Sequence, residues 1–304
     1  MASSAADLVV GVDGSDAALT AVRWAARAAA ARRRGLRLVH ATEELPVAYP
    51  HTGGNFEELY ELVGARGQRL LEAARAAVAE VAPDVKPEVV LRPEQPAEGL
   101  LAESETAAMI VLGTPGQSAA ARVLLGSASL ALAAHAKCPV ALIRPHVAED
   151  EPPVDGPVIV GVDGTPASED AIAVAFDEAS WRGAPLVAVH AWHDTFLAGL
   201  FEEGRRTMDG DAIEQSAQEL LDERLAGWQE QYPDVHVERL VQRGRPAQAL
   251  LDLADRAQLL VVGSRGRSGL AALALGSTSQ AVMSHALCPV VVARGGTRPA
   301  GHAE

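Results

Sequence analysis

Apolar residues recur along the chain in two alternating patterns, which predict short strands followed by amphipathic helices. Segments such as 8–12 and 108–112 are typical of buried strands, whereas 16–33 and 57–81 carry apolar residues at helical spacing. In the first half this predicts strands at 8–12, 36–41, 85–91, 108–112 and 139–143, and helices at 16–33, 57–81, 97–105 and 127–137. Regular alternation favours a doubly wound α/β fold, with a parallel sheet and helices on both faces.

The second half of the chain repeats the first at a constant spacing. The segment 8–15 (LVVGVDGS) returns at 158–165 as VIVGVDGT, and His-Ala at 40–41 returns at 190–191. A constant register over so long a period indicates duplication of a whole domain rather than of a solenoid unit. We predict a first domain at 1–146, an acidic, proline-containing linker at 147–156, a second domain at 157–296 and a tail at 297–304.

Glycines collect after the first and the fourth predicted strand of each half. Ligands of doubly wound sheets bind beyond the carboxyl ends of the strands, where the winding reverses. If the strand order is 3-2-1-4-5, strands 1 and 4 are neighbours. Asp13 would then lie beside Gly113, and Asp163 beside Gly263.

The loop after the fourth strand reads Gly-x2-Gly-x9-Gly-Ser, starting at Gly113 and again at Gly263. Glycines permit a tight turn with exposed N–H groups, and a helix that opens at Gly-Ser offers unpaired N–H groups to an anion. The pattern predicts a phosphate site. The alternative is that Ser127 and Ser277 are ordinary N-cap residues.

Asp13 and Asp163 follow the first strand of each half and could accept hydrogen bonds from a ribose; alternatively, each is a turn carboxylate that binds backbone N–H groups. Backbone groups at the ends of the first two strands could pair with an adenine edge. The candidate nucleotide contacts of the first half are Gly11, Val12, Asp13, Ala41, Gly113, Gly116, Arg122, Gly126, Ser127 and Ala128. Those of the second half are Gly161, Val162, Asp163, Ala191, Asp194, Gly263, Ser264, Arg265, Gly266, Arg267, Gly276, Ser277 and Thr278.

The motifs Val-Gly-Val-Asp-Gly-Ser/Thr and Gly-x2-Gly-x9-Gly-Ser together resemble the ATP-binding branch of the universal stress protein family. The duplication resembles its tandem two-domain members, and the resemblance covers 7–143 and 157–294. It implies open five-stranded parallel sheets ordered 3-2-1-4-5, ATP as the ligand, an Asp on the ribose and a homodimer. Mg²⁺ can accompany the phosphates, although no metal ligand is separately visible.

The two predicted sites are unequal. The second loop carries Arg265 and Arg267, where the first has Pro and Gln. The glycine before the Pro-Ala pair is Gly244 in the second half, but Glu94 in the first. We therefore expect the second site to bind phosphate more tightly.

The composition of the chain argues against nucleic-acid and membrane partners. A net charge of −14 repels nucleic acid, and no apolar run is long enough for a membrane span. The N-terminus lacks the pattern of a secretory signal, and the 2 cysteines suit a reducing compartment. We expect a cytoplasmic protein without nucleic-acid or membrane partners.

No catalytic motif accompanies the glycine loops. The P-loop pattern Gly-x4-Gly-Lys-Ser/Thr is absent, and His40 and His190 end strands without a recognisable nucleophile nearby. We expect a non-enzymatic, ATP-binding regulatory or stress-response protein, with a protein partner that the sequence does not identify. The alternatives are a slow ATPase or nucleotidyl-transfer enzyme, and an interaction module in which nucleotide is incidental.

Overall fold

A computed structural model describes residues 6–42, 56–114, 125–144, 152–165, 168–192, 210–264 and 275–294. The chain divides into two compact units, whose described residues fall within 6–144 and 152–294. Each unit is built from alternating strands and helices.

The first unit contains a parallel sheet in the order β3-β2-β1-β4-β5. This confirms the expected 3-2-1-4-5 order and makes β1 and β4 neighbours at the point where the winding reverses. Its elements are β1 (Leu8–Gly11), α1 (Asp16–Arg32), β2 (Leu36–Ala41), α2 (Phe56–Val81), β3 (Glu88–Arg92), α3 (Pro96–Glu103), β4 (Met109–Gly113), α4 (Ser127–His135) and β5 (Val140–Ile143).

The second unit has the same architecture, with the parallel order β8-β7-β6-β9-β10. Among the described residues, a short helix before its third strand has no counterpart in the first unit. Its elements are β6 (Val158–Gly161), α5 (Ser168–Arg182), β7 (Leu186–Trp192), α6 (Gly210–Leu225), α7 (Trp228–Gln231), β8 (Val237–Arg243), α8 (Pro246–Ala254), β9 (Leu259–Gly263), α9 (Ser277–His285) and β10 (Val290–Ala293).

The third strand begins later than its apolar pattern predicts, at Glu88 rather than Val85. The N–H of Val85 donates to the carbonyl of Ala82 (3.0 Å) in the turn after α2. Pro87 has no N–H to donate to a neighbouring strand. Pairing with β2 therefore starts only at Glu88.

The cores are built largely from Ala, Val, Leu and Ile on closely packed helices and strands. The second unit adds an aromatic cluster in which Phe176 of α5 lies 5.7 Å from Trp228 and 5.6 Å from Tyr232, between ring centroids. Within the part of the chain that the structure describes, no helix combines the length and apolar character required to cross a membrane.

Candidate functional site

The second unit contains a cavity of about 270 Å³ at the carboxyl end of its sheet. The ends of β6, β7 and β9, the helix α8 and the first residues of α9 form its walls. Because β6 and β9 are neighbours, the cavity lies where the winding reverses. The predicted contacts that line it are Gly161, Val162, Asp163, Ala191, Gly263, Gly276, Ser277 and Thr278.

The two ends of the loop between β9 and α9 are tied together at the cavity. The N–H of Gly276 donates to the carbonyl of Ser264 over 2.9 Å, and the N–H of Ser264 donates to Ala293 over 3.1 Å. Ser264 is itself buried and is not among the lining residues. The remaining predicted contacts lie outside the described residues: Gly116, Arg122, Asp194, Arg265, Gly266 and Arg267.

The first unit places its predicted contacts at the corresponding edge of its own sheet. Three of them are the last residues of β1, β2 and β4, and three more form the start of α4. Asp13 and Val12 follow β1 directly. The residues at the strand ends and at the start of α4 are Gly11, Ala41, Gly113, Gly126, Ser127 and Ala128.

The first turn of each loop-following helix has no side-chain cap. The N-cap residues are Gly126 of α4 and Gly276 of α9, and neither provides a side-chain hydrogen bond to the first-turn N–H groups of its helix. Ser127 and Ser277 are the first helical residues, so the alternative that they are N-caps is wrong. The first-turn N–H groups of α9 thus present a positive dipole end to the cavity.

Nothing in the described surroundings of Gly126 requires a glycine. Its φ of −58° and ψ of 151° are accessible to any residue, and a Cβ added there would meet nothing within 4 Å. Gly276 has a similar conformation, with φ −64° and ψ 145°. An open space before an uncapped helix suits a bulky anion.

Gly113 has a different reason for being glycine. A Cβ at this position would lie 2.2 Å from the carbonyl oxygen of Ala17, in the first turn of α1. Close packing of α1 on the end of β4 therefore excludes a side chain here. Our interpretation of Gly113 as a glycine that keeps space for phosphate missed this requirement.

Asp163 and Asp13 both bind the turn that follows their strand. Oδ1 of Asp163 accepts from the N–H of Thr165 (2.9 Å), from its hydroxyl (2.7 Å) and from the hydroxyl of Ser168 (2.5 Å). Oδ1 of Asp13 accepts from the N–H (2.8 Å) and hydroxyl (2.6 Å) of Ser15. The turn-carboxylate alternative therefore describes one oxygen of each carboxylate; ribose binding stays a prediction.

Histidines at the ends of β2 and β7 bind the strand-end carbonyls. Nδ1 of His190 donates to the carbonyl oxygen of Val162 at 2.7 Å, and His40 makes the same bond to Val12 at 2.6 Å. The N–H of Val162 donates to Val189 at 2.9 Å. Of the two backbone groups of Val162, the carbonyl oxygen therefore keeps a second lone pair that could accept from an adenine edge.

Sequence reasoning missed several lining residues. Pro246 and Leu250 of α8, with Val189 and Val262 from the strands, supply apolar wall. In the sequence, the position of Leu250 four residues after Pro246 could have indicated that it faces the same side of the helix. Ser168 also lines the cavity. The sequence could have indicated this, because the second half has serine at the start of its helix where the first half has alanine. The hydroxyl of Ser279, also in the lining, donates to Gly263 at 2.5 Å.

These features define doubly wound α/β domains, with a cavity at the switch point of the second unit's sheet. The universal stress protein family model matches residues 6–144 and 156–294, and the chain belongs to this family. Universal stress protein Rv2005c of Mycobacterium tuberculosis is 44% identical over 293 residues, covering 94% of this chain and 96% of that protein. Universal stress protein Rv2623 of the same organism is 40% identical over 302 residues, covering 96% and 97%.

A solved structure shows the same fold. The crystal structure of a universal stress protein from Archaeoglobus fulgidus matches with a TM-score of 0.68 and 18% identity, over 95% of this chain and 98% of that one. The tandem two-domain arrangement that the sequence motifs predicted is thereby confirmed.

Proposed function

We propose that this chain is an ATP-binding regulatory protein of the stress response, with one nucleotide site in each unit. The observation that carries the proposal is the cavity of the second unit. It brings Asp163, the end of β9 and the uncapped start of α9 around one space.

The start of α9 would hold the phosphates. Its N-cap is Gly276, which has no side chain to accept from the first-turn N–H groups, and the hydroxyls of Ser277 and Thr278 lie at the same end of the helix. A helix N-terminus with free donors binds an anion through hydrogen bonds and the macrodipole. Mg²⁺ would neutralise phosphate charge when it accompanies the nucleotide.

The opposite wall would hold the nucleoside. Leu250 is 2% exposed and, with Pro246 and Val189, gives an apolar surface for a base. Asp163 would accept from ribose hydroxyls. A volume of about 270 Å³ is near the lower end of small-molecule pockets, and the loop that follows Ser264 begins and ends beside it.

The side chains around the cavity favour binding over turnover. Among the described residues that line it, Asp163 alone has an ionisable side chain. General acid–base catalysis requires groups that can exchange protons near the reacting atoms. One carboxylate held by three hydrogen bonds on Oδ1 offers little of that chemistry. This arrangement supports the proposed regulatory role over a catalytic one.

Calorimetric titration with ATP and Mg²⁺, after removal of any co-purified nucleotide, tests the proposal. We expect two binding events per chain, the tighter lost in Gly276→Trp and the weaker in Gly126→Trp. Gly64→Trp is a matched control, because a Cβ at this α2 glycine also meets nothing within 4 Å. Absence of heat with the unmodified protein would reject ATP binding and favour an interaction module.

Homodimer formation and a cytoplasmic location stay predictions. Light scattering tests the first, with an expected mass of twice the 31.7 kDa of one chain. A mass of one chain would reject it. Retention of intact ATP through purification would argue against rapid hydrolysis, whereas steady phosphate release would favour the slow ATPase.

A further inference from the structure

We infer that Ser168 is a positioning residue that fixes the Asp163 carboxylate and gives the second site stronger selectivity for ribonucleotides than the first. This inference rests on the proposed function, because it assumes that the cavity receives a nucleotide. It assigns a specificity role to a residue that the sequence motifs do not include.

Ser168 and Asp163 form a closed ring of hydrogen bonds. The N–H of Asp163 donates to Oγ of Ser168 over 3.0 Å, and the Ser168 hydroxyl donates to Oδ1 of Asp163 over 2.5 Å. Ser168 is 4% exposed and lies in the cavity wall. Both the backbone and the side chain of Asp163 are therefore held by one buried hydroxyl.

Thr165 completes the restraint from the other side of the turn. Its N–H and hydroxyl donate to the same Oδ1 at 2.9 and 2.7 Å. Three donors thus converge on Oδ1 of the Asp163 carboxylate. The orientation of the carboxylate is set before a ligand arrives, and less conformational freedom is lost on binding.

The first unit lacks this restraint. The position of Ser168 is occupied by Ala18, which is 3% exposed and has no hydroxyl. Oδ1 of Asp13 accepts only from Ser15 among the described residues, and Asp13 is exposed. The corresponding carboxylate lacks the third donor, so more of its ordering falls to the ligand.

Selectivity follows from the polarity of the site. A site built to bind a substrate hydroxyl rejects an analogue without it, because the buried polar partner is left unpaired. A carboxylate fixed by Ser168 cannot turn away from the missing hydroxyl, whereas a loosely held one can. The second site should therefore distinguish ATP from deoxy-ATP more strongly than the first.

The test compares ATP with its 2′-deoxy and 3′-deoxy analogues by calorimetry, in a Gly126→Trp background that leaves only the second site. The dissociation constant of each deoxy analogue divided by that of ATP gives two discrimination ratios. We expect Ser168→Ala to lower the larger ratio by roughly fivefold. Ser168→Thr keeps a hydroxyl and should restore the ratio. In the opposite background, Gly276→Trp, Ala18→Ser should raise the ratio at the first site.

The outcomes separate this inference from the proposed function. If Ser168→Ala weakens ATP and both analogues equally, Ser168 has only a structural role and the inference is overturned. An unchanged ratio with normal ATP binding also overturns it, while the proposed function stands. If the unmodified chain binds no ATP, both are rejected.

Discussion

Nη1 of Arg37 donates a hydrogen bond to Oε2 of Glu103 over 2.8 Å in the first unit. The Glu103 side chain is only 2% exposed, and its other oxygen accepts from Nε of Arg92 at 2.9 Å. The second unit carries Val187 and Leu253 where the first has Arg37 and Glu103. The buried ionic cluster therefore belongs to one copy of the duplicated domain.

This cluster should make the first unit sensitive to acid. Burial alone would raise the pKa of Glu103, but hydrogen bonds from Arg92 and Arg37 outweigh it and hold the pKa below its ordinary value of 4.5. The ionised Glu103 carboxylate thus stabilises the folded unit fully at pH values above its ordinary pKa. This stabilisation is lost as the pH falls through the lower pKa of the folded state. We expect Glu103→Gln to cost about 2 kcal/mol at pH 7, less than for a fully buried pair because the arginines are partly exposed.

Denaturant unfolding at pH 7 and at progressively lower pH measures this effect. The difference in the free energy of unfolding between the unmodified chain and Glu103→Gln should shrink below pH 4.5. As a control, replacing Arg37, Arg92 and Glu103 together by Val, Gln and Leu of the second unit should cost less than Glu103→Leu alone. A pH-independent difference would contradict the assignment.

Gly113→Ala should destabilise the first unit without any ligand being present. The new Cβ would lie 2.2 Å from the carbonyl oxygen of Ala17, so α1 must shift away from β4. Overpacking of this kind costs about 1–3 kcal/mol, measurable as a lower free energy of unfolding. Gly126→Ala is the matched control, because its Cβ meets nothing within 4 Å. Equal effects of the two substitutions would show that the close approach does not determine stability.

Thr278→Val should weaken ATP binding at the second site by about tenfold, because it removes a hydroxyl donor to phosphate. The two side chains have nearly the same shape, so the free energy of unfolding should change little. Thr20→Val in α1 is a suitable control, since the Thr20 hydroxyl bonds its own helix at Asp16 (3.0 Å) on an exposed face. If both variants bind ATP normally, Thr278 does not hold the nucleotide.

Neither cysteine should react with a thiol reagent in the folded protein at pH 8. Burial raises the pKa of the Cys138 thiol to about 12, and Cys138 and Cys288 are both 0% exposed. The thiolate is the reactive species, so modification should be over about a hundredfold slower than in denaturant. Absorbance of the released reporter would follow the reaction. Rapid modification of the native chain would indicate that the strands beside these residues open readily.

The sequence was sufficient for the architecture because the signals involved are local or periodic. Strand and helix alternation, Val-Asp-Gly turns and Pro at the start of α3 and α8 each fix a short segment. Duplication then carried every assignment from one half to the other. The position of a site at the carboxyl ends of β1 and β4 followed from this topology.

Details of the site depended on contacts that periodicity does not encode. The sequence left open whether Ser277 is the N-cap of α9, but the helix begins at Ser277 itself, one residue earlier than a serine cap requires, and Gly276 takes the cap position. Likewise, Gly113 was attributed to phosphate although Ala17 is the group that excludes its side chain. Both outcomes depend on how a helix packs against the sheet.

The sequence by itself determined two α/β units, their strand order through the family resemblance, and the edge of the sheet where a ligand would lie. Only the tertiary structure decided that Ser168 restrains Asp163 and that Glu103 is shared by Arg37 and Arg92. The physical reason is that turns and periodicity act within a few residues along the chain. A hydrogen bond between distant residues exists only after packing has fixed both side chains in space.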